Sequence, residues 1–183
     1  MELKETLIGS KYFFRGMINL RLDQVRTPNG SIARRVVAEH PGAAAIVTVN
    51  QDGRLVLVRQ YRHAIGRELL EIPAGKLDAG EPPEQCAVRE LSEETGLQPT
   101  ELIELGKIVT APGFCSEGIT LFFARGVPPL NARDVAQAAQ DADEFIEIEL
   151  LEVEQAFGAI TSGRIIDAKT ICGMTMARAM GLL

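Results

Sequence analysis

Hydrophobic and polar positions change period several times along the chain, and the changes mark out its elements. From Tyr12 to Val25 the segment YFFRGMINLRLDQV carries aromatic and β-branched positions. Pro28-Asn29-Gly30 then supplies a turn in which Gly30 can take positive φ, and SIARRVVAEH returns as a second strand. This predicts an N-terminal β-hairpin arm over residues 1–40, with the interruption at His40-Pro41-Gly42 as its boundary with a main domain over residues 41–183. AAAIVTV and LVLVRQY, separated by NQDGR, read as a second hairpin of buried, near-continuous apolar strands. ELLEIP, GKIVTA, ITLFFARG and FIEIEL are further strand candidates. LLEVEQAFGAITSG and DAKTICGMTMARAMGLL show apolar residues near helical spacing. Strands outnumber helices and the connections are long, which predicts an α+β fold, a mixed sheet with helices on its faces.

One stretch departs from these patterns. Gly75–Leu97, GKLDAGEPPEQCAVRELSEETGL, holds five glutamates. Pro82 and Pro83 suit a helix start and Gly96 suits the left-handed position past its end, which predicts a helix from about Pro83 to Thr95. Ala87, Val88 and Leu91 form its apolar stripe, and Glu90 and Glu94 stand four apart on what reads as another face, with Glu93 adjacent. Like charges at that spacing repel, and near a helix C-terminus each acidic side chain costs up to ~1 kcal/mol. Only Arg89 is placed to offset them. A solvated acidic face is the ordinary reading of such a run. The alternative is a divalent cation, which turns the same repulsion into attraction.

Composition narrows the partners. The chain has 183 residues, 46% of them hydrophobic, enough for one domain with a small appendage. Its net charge of −6 and the absence of a lysine- or arginine-rich run speak against nucleic acid as partner. Cys86, Cys115 and Cys172 form no CxxC pair, which suggests neither a disulfide framework nor a thiolate zinc site. No segment has the form of a signal peptide or approaches the ~18 apolar residues of a membrane span. The expected setting is the cytoplasm, without a membrane partner.

Gly75, Glu81 and the run Arg89-Glu90-Leu91-Ser92-Glu93-Glu94-Thr95-Gly96-Leu97 resemble the Nudix box, GX5EX7REUXEEXGU, at all nine specified positions. The resemblance implies an α/β/α sandwich around a mixed sheet and a hydrolase of a nucleoside diphosphate linked to another moiety, with Mg²⁺ or Mn²⁺ as cofactor. It implies Glu90 and Glu94 as main metal ligands, Glu93 as a further member of the cluster steadied by Arg89, and the backbone carbonyl of Ala74 as another ligand. Divalent ions would neutralise the pyrophosphate and activate the attacking water.

The flanking segments resemble those of ADP-ribose pyrophosphatases: VRQYRHAIGRELLEIPAG before the box, Pro112 sixteen residues after Gly96, and the C-terminal DAKTICG. This implies that Arg62 meets phosphate and that Glu71 and Glu117 face the active site, with Phe114 a ligand contact. The plainer readings are a surface cation, a solvent-facing strand glutamate and a loop anchor. Tyr12, Phe13 and Phe14 are possible stacking platforms for adenine, and the subgroup's arm exchange implies a homodimer. The general base is expected at Glu144 in QDADEFIEIEL, with Asp143 behind it. If Ala142 fills that slot, Glu93 takes the proton. His40 and His63 lack a carboxylate-rich context and read as structural or surface residues. The implied activity is hydrolysis of ADP-ribose to AMP and ribose 5-phosphate. The alternatives are a sister activity on a sugar nucleotide such as GDP-mannose, or a non-catalytic sensor of ADP-ribose.

Overall fold

The computed structural model describes residues 2–130 and 145–183. Among them are ten strands: β1 (Thr6–Phe14), β2 (Asn19–Arg26), β3 (Ile32–Glu39), β4 (Ala43–Asn50), β5 (Arg54–Arg62), β6 (Arg67–Glu71), β7 (Ala74–Lys76), β8 (Glu101–Val109), β9 (Gly118–Val127) and β10 (Ile146–Glu152). Three helices accompany them, α1 (Pro83–Thr95), α2 (Val153–Thr161) and α3 (Ala168–Ala179). They divide into two compact units, Met1–Gly42 with Val109–Gly118, and Ala43–Ile108 with Ile119–Leu183. The first unit thus takes in a segment that the sequence pattern did not group with the arm.

In the first unit the predicted hairpin is present as β2–β3, and its turn closes with the Gly30 N–H donating to Thr27 O at 2.8 Å, Gly30 having φ of 86°. β1 adds a third antiparallel strand. The run from Tyr12 to Val25 is therefore split after Phe14, where the Gly16 N–H donates to Asn19 Oδ1 and the chain doubles back. Leu7, Phe13, Phe14, Met17 and Val36 are exposed on this small sheet.

The second unit is built on a seven-stranded sheet in the order β10-β5-β4-β9-β8, with β6 paired to β5 and β7 to β4. β4 runs parallel to β9 and antiparallel to β5 and β7, so the sheet is mixed. Alternation along β4 sends its side chains to both faces. Ala43, Ala45 and Val47 join a core cluster with Ala156 of α2 and Met174 of α3, while Ala44 and Ile46 join another with Ala87 and Leu91 of α1. Helices cover both faces, the expected α/β/α arrangement. A Cβ on Gly173 would come within 2.9 Å of Val47 Cγ2 and 3.2 Å of Ile72 Cδ1. That close approach seats the middle of α3 against β4 and the residue just after β6. No helix among the described residues is long and apolar enough to cross a membrane.

Candidate active site

α1 has the predicted bounds, with Pro82 preceding it and Gly96 closing it in the left-handed region at φ of 73°, its N–H donating to Ser92 O at 2.8 Å. No basic residue occupies its last turn. Glu94 stands four residues and about 40° from Glu90 on the helix wheel, but it departs from the expectation that the pair lies on a face apart from the apolar stripe. At 100° per residue it lies about 20° from Ala87 on the helix wheel, squarely on the apolar stripe, and only 5% of it is exposed. A carboxylate is thus buried at the negative end of a helix dipole, where burial and dipole both disfavour its charge.

Arg89 organises the rest of the box. Its Nε and Nη2 donate to Glu81 Oε1 and Oε2 at 2.9 and 3.0 Å, Nη1 donates to Glu90 Oε1 at 2.8 Å and Glu93 Oε2 at 2.9 Å, and Nη2 also reaches Lys76 O at 3.1 Å. The fork-shaped guanidinium can bind carboxylates along two edges at once, which an ammonium cannot do. Arg89 hydrogen bonds, aided by the Asp78 N–H, hold the Glu81 carboxyl down at about 2. Burial first, then the charges of Glu90 and Glu81, push the Cys86 thiol up to about 12, which keeps it protonated and inert.

The Glu81 shift has a consequence for acid stability. A carboxyl lowered on folding contributes stability that is full above its ordinary value near 4.5 and is lost as pH falls toward about 2. We expect the melting temperature to decline across that window and the decline to be shallower in Glu81→Gln, measured by thermal melts at successive pH values. Identical slopes in the two proteins would show that Glu81 does not carry this dependence.

Gly75 explains how Glu90 reaches its place. A Cβ there would lie 1.7 Å from Glu90 Oε1 and 1.9 Å from its Cδ, so only a glycine lets the carboxylate rest against β7. The carboxylates of Glu90, Glu93 and Glu94 and the carbonyl of Ala74 offer only oxygen donors, the kind that Mg²⁺ and Mn²⁺ take. Among the described residues no group of three or more acidic, histidine or cysteine side chains is placed to hold a metal ion by itself. Mg²⁺ does not need one, since it keeps several waters and binds through one or two carboxylates together with substrate phosphates. In kind these donors suit such an ion, with substrate phosphate and water to complete its shell.

Arg62 and Glu71 meet each other. Arg62 Nε and Nη2 donate to Glu71 Oε1 and Oε2 at 2.8 and 2.7 Å, and Lys169 Nζ of α3 also donates to Glu71 Oε2. Glu71 is 1% exposed, so the plain reading of a solvent-facing strand residue fails. Burial pushes its carboxyl up, but the Arg62 hydrogen bonds and the charges of Lys169 and Arg62 outweigh this and leave it below the ordinary range. The Glu71 hydrogen bond in turn raises Arg62 against partial burial, with smaller contributions from the charges of Glu71, Glu94 and Asp167. Arg62 thus feels the box carboxylate Glu94.

Phe114 and Glu117 lie in the first unit. Phe114 is exposed, and its carbonyl accepts from the Ala38 N–H at 2.7 Å. Glu117 accepts from Thr110 Oγ1 at 2.6 Å, and His40 Nε2 is 3.4 Å from its other oxygen. The Gly42 N–H donates to His40 Nδ1 at 3.1 Å, which places the ring proton on Nε2, facing Glu117. His40 therefore has a carboxylate partner, contrary to expectation, because that partner is distant in sequence. Asp143 and Glu144 lie outside the described residues. Lys169 was not foreseen either; the only hint was a lysine in a first helical turn, where a cation is out of place.

A family model described as NUDIX domain matches residues 39–173. Over 169 residues the chain is 37% identical to a protein of Bacillus subtilis (strain 168) named ADP-ribose pyrophosphatase, covering 92% of this chain and 89% of that one. It is 38% identical over 169 residues, with the same coverage, to a Bacillus methanolicus protein named Methanol dehydrogenase activator. A solved structure described as "Crystal structure of ADP compounds hydrolase" aligns over 100% of both chains with a TM-score of 0.82 at 20% identity, a likeness of fold.

Proposed function

Because this chain belongs to the Nudix hydrolase family, we propose that it cleaves the pyrophosphate of ADP-ribose to AMP and ribose 5-phosphate. The observation that carries the reading is the 37% identity, over 92% of the chain, to a protein named ADP-ribose pyrophosphatase.

In this reading Glu90, Glu94 and the Ala74 carbonyl hold Mg²⁺ or Mn²⁺, with Glu93 completing the set. A cation held there would supply charge neutralisation for the pyrophosphate and a more acidic water. Arg89 keeps Glu90 and Glu93 oriented before the substrate arrives. Arg62 uses one guanidinium edge for Glu71 and turns the other to a phosphate oxygen. By the resemblance Glu117, its carboxylate oriented by Thr110 and His40, would serve the terminal ribose or the metals, and Phe114 would be a ligand contact. Water attacks phosphorus, the bond to the bridging oxygen breaks, and Glu144 accepts the proton. Glu93 takes that role if Glu144→Gln retains turnover. The exposed apolar side chains of the N-terminal sheet suit the cover of a homodimer, which sedimentation as a single 19.9 kDa protomer would rule out.

The test is turnover of ADP-ribose, GDP-mannose, NADH and diadenosine polyphosphates side by side, with Mg²⁺ and with Mn²⁺. We expect the highest kcat/KM for ADP-ribose. A preference for another compound overturns the substrate assignment, and binding of ADP-ribose without turnover of any of them makes the protein a sensor.

A further inference from the structure

Glu71, the last residue of β6, and Ile72 just beyond it are gripped by two consecutive residues of α3. Lys169 Nζ donates to Glu71 Oε2 and stands 3.1 Å from Asp167 Oδ2. Thr170 Oγ1 accepts from the Ile72 N–H at 2.9 Å and donates to Asp167 Oδ2 at 2.6 Å. Asp167 is the N-cap of α3, accepting from the Thr170 N–H at 2.9 Å. A side chain of the strand's last residue and the backbone N–H that follows it are thus both tied to the first turn of one helix.

Lys169 is an unlikely choice for packing alone. It is 8% exposed, so its ammonium has lost most of its water, and it stands at the helix end where the dipole repels cations. Asp167 offsets part of this but is also occupied with the cap. An apolar residue of similar volume would stabilise the junction at least as well, since buried ion pairs seldom outperform apolar packing. What an apolar residue would not do is fix the Glu71 carboxylate. Both oxygens of that carboxylate also hold the Nε–Nη2 edge of Arg62. That contact occupies one edge of the five-donor fork and sets the plane of the rest. Arg62 is itself 40% exposed at its side chain, within reach of a ligand.

We propose that Lys169 is a positioning residue: it locks Glu71 so that Arg62 holds its outward guanidinium edge toward a phosphate of the substrate. The inference rests on the reading of Arg62 as a phosphate contact. It adds a residue from α3, remote from the box in sequence, whose effect runs wholly through Glu71 and Arg62.

The experiment is a double-mutant cycle in the full-length chain, with Lys169→Met and Arg62→Ala singly and together, reading kcat and KM for ADP-ribose. A contact made alike in ground and transition states changes KM more than kcat. We expect Lys169→Met to raise KM about tenfold in the parent protein and to have little further effect once Arg62 is alanine, because the two act in series. Equal effects in both backgrounds overturn the proposal, as does an unchanged KM in Lys169→Met. An unchanged KM in Arg62→Ala removes its premise while leaving the wild-type preference for ADP-ribose intact, so the two failures are distinguishable. If Lys169→Met does not fold, Lys169→Gln enters the same cycle and is judged by the same outcomes.

Discussion

Glu94→Gln is expected to lower kcat/KM for ADP-ribose by at least about 100-fold, since removing even an outer-shell partner of a metal ligand costs roughly 10–100-fold and this residue is read as a ligand itself. The change is isosteric and removes only charge. Glu94 lies on the buried stripe of α1 at 5% exposure, in a last turn that has no basic residue. Burial and the helix dipole act against its carboxylate while the charge of Arg62 favours it, so a neutral amide should shift the melting temperature little. Loss of activity without loss of stability separates a functional charge from a structural one. Calorimetric titration with Mg²⁺ and Mn²⁺ gives a readout independent of turnover, and weaker uptake is expected. A variant with near-normal kinetics and undiminished metal uptake would falsify the ligand assignment.

Gly75→Ala is the second large effect, and it acts through space. Gly75 is not among the residues with positive φ, so its backbone would accept a side chain. What it cannot accept is the volume: the new Cβ would fall 1.7 Å from Glu90 Oε1 and 2.4 Å from Oε2. Those atoms end a flexible side chain, so Glu90 can swing aside without moving the strand, giving up its 2.8 Å bond with Arg89. That loss is partly offset by the ~0.4–1 kcal/mol typically gained when alanine replaces glycine at a compatible site. The fold should therefore survive with a melting temperature close to the parent, while kcat/KM falls on the order of 100-fold because a ligand has left its position. Melting curves and steady-state kinetics on one preparation check both halves. If the variant melts normally and turns over normally, the position of Glu90 beside Gly75 has no bearing on activity.

Much of the site was legible where its signals are local. The bounds of α1 follow from Pro83 and Gly96, and the tie of Arg89 to Glu90 and Glu93 follows from adjacency and i,i+4 spacing. The burial of Glu94 was also contained in the spacing, three residues beyond Leu91 and seven beyond Ala87. Pairing it with Glu90 by the i,i+4 relation alone obscured this. β7 escaped notice because three residues are too few to show a period.

By itself the chain determined the helix, its caps, the strand pattern and the clustering of carboxylates on α1, because capping, periodicity and neighbouring charge act over a few residues. Only the tertiary structure decided that Lys169 closes on Glu71 and that His40 faces Glu117. Those partners are separated by long stretches of chain, and no local preference encodes them. They meet because the packing of α3 on the sheet, and of the Val109–Gly118 segment with β3, removes their polar groups from water and leaves each other as the available counter-charge or hydrogen-bond partner.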